Sequence, residues 1–77
     1  MHITHVASTT LARIAYDASR QLLHLEFRDR TVYQYLGVPA DLHQALLHSP
    51  SKGRYFNRTI RGHFPYASAP ALGESLS

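Results

Sequence analysis

Four cations, Lys52, Arg54, Arg58 and Arg61, fall between Pro50 and Tyr66 with no carboxylate among them. Over residues 1–49 the charges cancel. Arg13, Arg20, Arg28 and Arg30 stand against Asp17, Glu26, Asp29 and Asp41, and Glu74 brings the total to +3. An excess of positive charge confined to one short segment is the footprint expected of a surface that meets an anionic partner. On an α-helix Arg54, Arg58 and Arg61, at i, i+4 and i+7, share one side with Asn57 beside them, while Phe56 and Ile60 point the other way. Like charges four apart repel by roughly 0.2–0.5 kcal/mol per pair. Lys52 and Arg54 also sit at the end of the helix dipole where acids are preferred. The Ser51 hydroxyl, Gly53 and the free N–H groups of that first turn suit an anion such as phosphate. Rules broken together mark a candidate functional surface. The plainer reading is a solvated basic face that aids solubility.

The other reactive side chains carry less. Tyr33 and Tyr35 share one face of a strand. Exposed, they would stack on bases; buried, they are core residues with hydroxyls at the rim. Tyr55 lies between the apolar and basic sides of its helix. His43 and His48 are five apart, not the three or four that align on a helix, and no HExxH pattern or cysteine accompanies them, so no metal or other cofactor is expected. No Gly-x-Ser-x-Gly elbow and no glycine-rich phosphate loop is present. A domain of this size has little room for a closed pocket, which argues for a binding module and against an enzyme.

The elements that must position these residues are few. Seventy-seven residues make one small domain, and the 44% hydrophobic and 17% charged content suits a folded chain. Without cysteine no disulfide reinforces it. Residues 11–17 alternate, with Ala12, Ile14 and Tyr16 on one face, and residues 21–27 alternate, with Leu23, Leu25 and Phe27 together. Residues 31–36 are rich in β-branched and aromatic side chains. Polar turns at 17–20 and 28–30 join these runs into an antiparallel meander. Pro39 ends the sheet, and residues 39–49 read as a helix burying Leu42, Ala45 and Leu46. Pro50 stops it, Ser51 is an N-cap candidate for a second helix to about Arg61, and Gly62 suits its C-terminal end. The expected fold is α+β: a three-stranded antiparallel β-meander followed by two short helices packed on one face. The expected domain is 1–66, with 67–77 as a disordered tail.

These residues resemble the KTSC domain, a short bacterial domain found alone and at the C-terminus of some lysyl-tRNA synthetases. The resemblance rests on Ser8-Thr9, Tyr16-Asp17, Leu25 and Phe27, Tyr33-x-Tyr35, Val38-Pro39 and Ser51-x-Gly53-x-Tyr55-Phe56-Asn57-x-x-Ile60-Arg61. It spans about residues 6–66. Where the family often has glycine this chain has Arg30, so the second turn is expected either to be longer than two residues or to be strained. The resemblance implies an association with RNA, in agreement with the basic helix.

The resulting expectation is a non-enzymatic module that binds RNA or another polyanion. Its site residues are Ser51, Lys52, Gly53, Arg54, Tyr55, Asn57, Arg58 and Arg61, with Tyr33 and Tyr35 as family motif. The alternative is a protein-interaction module, meeting an acidic protein surface through the same arginines, or a homodimer. No signal-peptide pattern and no apolar run of membrane-spanning length is present, so the expected location is cytoplasmic, with no membrane partner.

Overall fold

The structure is a computed structural model that describes residues 2–69. Five strands form one antiparallel sheet in sequence order: β1 (His2–His5), β2 (Leu11–Asp17), β3 (Leu22–Phe27), β4 (Val32–Leu36) and β5 (Tyr66–Ser68). Between β4 and β5 come α1 (Ala40–His48), α2 (Lys52–Tyr55) and a π-helical turn, Phe56–Ile60, that continues α2. The α+β class and the central meander agree with the sequence reading. The three-stranded sheet does not, because β1 and β5 extend it on both sides. Ile3 pairs with Ala15, and Tyr66 with Tyr35. Ala67 and Ser68, grouped by sequence with the tail, pair with Gln34 and Tyr33. Ala69 donates its N–H to Val32 O at 2.9 Å, and the rest of the expected tail, 70–77, lies outside the described residues. No helix among the described residues is long and apolar enough to cross a membrane.

The main core lies between the sheet and the helices. Leu11, Ile14, Tyr16, Leu23, Leu25, Tyr35, Val38, Leu46, Phe56 and Ile60 form it. In β2 the register shifts between Leu11 and Arg13. This bulge turns Leu11, not Ala12, to the same side as Ile14, since an extra residue reverses the alternation beyond it. On α1, Leu46 is buried as expected but Ala45 is exposed and His43 takes its place. The cause is Tyr16, whose ring stacks on His43 at 4.4 Å and whose hydroxyl donates to the Val38 carbonyl at 2.6 Å. Burial, followed by the Asp41 and Asp17 charges, raises the Tyr16 pKa and keeps the hydroxyl a donor.

Both alternatives hold for the second turn. Arg30 donates its N–H to Phe27 and Phe27 donates to Thr31, at 3.0 and 2.9 Å, leaving a three-residue loop. Arg30 sits at φ 74°, the left-handed position that closes such loops and that glycine fills without strain.

Candidate nucleic-acid interface

The basic segment packs on the sheet through Phe56 and Ile60, and at Gly53 it comes unusually close to the loop before β2. Gly53 is buried, and a Cβ built on it would stand 2.6 Å from Thr10 Oγ1 and 2.9 Å from Thr10 Cβ. Glycine is therefore what lets α2 approach the loop before β2. That loop is itself tied down. Ser8 Oγ accepts the Thr10 and Leu11 N–H groups at 3.1 and 3.2 Å. From the far hairpin, Arg28 donates Nε to Ser8 O at 2.9 Å and Nη2 to Val6 O at 3.2 Å.

Two adjoining clefts result. A polar groove of about 480 Å³ runs between Ala7, Ser8, Thr9 and Thr10 on one side and Pro50, Ser51, Lys52, Gly53, Arg54 and Asn57 on the other. An aromatic cleft of about 410 Å³ is lined by Phe27, Tyr33, Tyr35, Phe56 and Tyr66, with Thr10, Asn57, Arg61 and Gly62 completing it. Thr10 and Asn57 belong to both, and neither lining contains a carboxylate.

Five of the eight expected site residues thus line the polar groove: Ser51, Lys52, Gly53, Arg54 and Asn57. Arg61 lines the aromatic cleft, and Asn57 joins the two. Arg58 is exposed and belongs to neither lining, while Tyr55 is half-buried and packs on the core. Ser51 occupies the N-cap position, but its hydroxyl makes no capping bond. Ser49 Oγ instead donates to Ser51 O at 3.0 Å, and Lys52 Nζ reaches back to Ser49 O at 3.0 Å.

The expectation of one continuous α-helix is corrected here. Arg61 N–H donates to Phe56 O at 2.9 Å, a bond spanning five residues. The wider turn swings Arg61 away from the Arg54 side and over the tyrosines, where its Nη1 lies 3.5 Å from Asn57 Oδ1. Gly62, at φ 80°, ends the helical segment as expected. Tyr35 is buried and Tyr33 half-buried, so they line the floor of the cleft and do not stand free on the surface. Burial and then Tyr66 raise the Tyr35 pKa, while the Arg61 charge opposes the rise.

Sequence reasoning left Thr10, Phe27 and Tyr66 out of the site. Tyr66 is 61% exposed, and its ring lies tilted at 32° against Tyr35 and edge-on to Tyr33. The Ser8-Thr9 pair and the lone Gly53 were the signals for the Thr10 wall.

The architecture defines a small α+β domain whose helical segment borders two adjoining, acid-free clefts, one against the loop before β2 and one against the sheet. Residues 7–64 match the model of the KTSC domain, and the chain belongs to that family. The crystal structure of a KTSC domain protein from Yersinia pestis superposes with a TM-score of 0.85 at 37% identity, covering 88% of this chain and 96% of that one. An uncharacterized protein of Stutzerimonas stutzeri is 38% identical over 60 residues, which is 77% of this chain and 84% of the relative. A lysine–tRNA ligase of Trichormus variabilis is 41% identical over 51 residues, 66% of this chain, and the chain spans only 9% of that enzyme's length.

Proposed function

We propose that the chain is a non-enzymatic RNA-binding module that grips phosphates with Lys52, Arg54, Arg58 and Arg61. The observation that carries this is the joining of an acid-free groove bearing Lys52 and Arg54 to an aromatic cleft bearing Arg61. Cations hold a phosphate chain and aromatic rings offer surfaces for bases, the two ingredients of a single-strand site. The likeness to segments of lysine–tRNA ligases, proteins named for a tRNA substrate, supports RNA as the polyanion. Phosphate contacts alone carry no sequence information, so specificity through them is low. In a cytoplasmic setting RNA is also the abundant polyanion.

The test is an RNA titration across a salt series. The triple variant Arg54→Gln, Arg58→Gln, Arg61→Gln should weaken binding and flatten the slope of log affinity against log salt by about two units, at about 0.7 per phosphate contact. All three side chains are exposed, so folding should survive. Arg20→Gln serves as control. Its side chain is 76% exposed in the turn between β2 and β3 and lines neither cleft. Absence of salt-dependent binding, or equal loss from Arg20→Gln and Arg54→Gln, would defeat the proposal.

A second reading is an interaction module or homodimer. The sheet face opposite the helices exposes Ile3 and Leu36, at 40% and 37%. Sedimentation that shows a dimer broken by Leu36→Lys, together with no RNA binding, would favour it.

A further inference from the structure

We infer that the aromatic cleft receives one unstacked nucleobase, which makes the chain a reader of single-stranded RNA and not of duplex. This rests on the RNA reading above and deepens it: the phosphate contacts by themselves would hold either form, whereas the cleft would select the unpaired strand. The floor of the cleft is closed: Tyr35 and Phe56 are 4% and 5% exposed and meet edge-on, with centroids 5.6 Å apart. Its lip is open, with Tyr66 at 61%. The Tyr66 ring is held by two neighbours, with centroids 5.4 Å from Tyr33 and 5.5 Å from Tyr35. A large aromatic surface that is exposed yet already oriented loses little freedom when a planar partner stacks on it.

The polar atoms select the same ligand. Asn57 is exposed and lines the cleft; its amide N–H groups can donate to a base edge, and its Oδ1, which accepts from Arg61 Nη1 at 3.5 Å, has a second lone pair to accept with. Arg61 brings a planar cation able to stack on a base or bind the adjoining phosphate. The cleft volume of about 410 Å³ lies within the range of small-ligand sites. At Thr10 and Asn57 the cleft adjoins the polar groove, where Lys52 and Arg54 can take the next phosphates. In a duplex the bases are stacked and paired inside, and a protein meets mainly 2′-hydroxyls and phosphates.

The experiment compares four RNA probes by fluorescence anisotropy at fixed salt: an adenosine decamer, a uridine decamer, an abasic decamer and a ten-base-pair duplex. Stacking predicts that at least one single strand binds about 10-fold or more tighter than the abasic strand and the duplex. Tyr66→Ala should erase that advantage and leave the salt slope unchanged, since every cation remains. Tyr66→Phe keeps the ring and should retain the advantage. Equal affinity for all four probes, with the salt slope intact, overturns this inference and leaves the phosphate reading standing. No salt-dependent binding of any probe overturns both. Tight binding of a proline-rich peptide in place of RNA would also overturn it, since aromatic grooves accept such peptides.

Discussion

Replacing Gly53 by alanine separates a glycine kept for packing from one kept for flexibility. In an unobstructed helix Gly→Ala raises stability by about 1 kcal/mol. Here the new Cβ would stand 2.6 Å from Thr10 Oγ1 and 2.9 Å from Thr10 Cβ. A rotation of Thr10 can move Oγ1, but its Cβ is fixed by the backbone. That backbone is held by Thr10 N donating to Ser8 Oγ and Thr10 O accepting from Arg28 N, both at 3.1 Å. Relief therefore requires α2 to move off the loop, an overpacking cost of about 1–3 kcal/mol. The costs outweigh the propensity gain, and the expected net loss is about 1 kcal/mol, or roughly 4–8 °C in Tm for a domain of this size. Thr10→Ala removes the 2.6 Å contact and leaves the 2.9 Å one, so Gly53→Ala should cost less in that background. A coupling of about 0.5 kcal/mol or more is expected from thermal and urea denaturation of the four proteins. A higher melting temperature for Gly53→Ala in the wild-type background, or strict additivity, would refute the reasoning.

Arg30→Gly should raise the melting temperature, because it removes a side chain from a left-handed position that costs a non-glycine residue about 1–2 kcal/mol. The greater freedom of glycine in the unfolded chain takes back part of the gain, and a scanning-calorimetry difference of a few degrees is expected. Glu26 is buried and hydrogen-bonded by Arg13, which holds its carboxyl below the ordinary 4.5 despite desolvation. A depressed carboxylate contributes stability that is present above the unfolded value and lost as pH falls through the folded one. Wild type should therefore lose its advantage over Glu26→Gln as melts are taken below about pH 4.5, and parallel curves across that range would show that the pair does not stabilise the fold.

The central hairpins were readable because alternation and turn chemistry agree there. Leu23, Leu25 and Phe27 fall on one face, and the turns at 17–20 and 28–30 lie where the chain reverses. Three features escaped that logic, each for a physical reason. The edge strands β1 and β5 have only four and three residues, too few for an alternation to register in the sequence, and β5 is exposed throughout. The β2 bulge leaves no mark in hydrophobic pattern, since Leu11 and Ala12 are both apolar. On α1 a histidine serves as a core residue because an aromatic ring across the interface stacks on it. Hydropathy counts His43 as polar and so rotates the predicted face toward Ala45.

The candidate site was legible in its chemistry and less so in its geometry, and the π turn shows why. Charge content survives any local rearrangement, so the basic segment could be found by composition. Angular position does not. A turn that closes over five residues in place of four inserts about one residue of phase, roughly 100° for everything beyond it. Arg54 precedes the turn and keeps its place beside Ser51 and Lys52 in the polar groove. Arg61 follows it and is carried to the tyrosines of β4 and β5. A regular α-helix would have set both guanidinium groups over one surface, where they repel. The π turn distributes them to adjoining clefts, one polar and one aromatic, with Asn57 at the junction. The second wall of each cleft comes from residues distant in sequence, Thr10 for the polar groove and Tyr33 and Tyr35 for the aromatic one, which only the folded sheet brings to the helical segment.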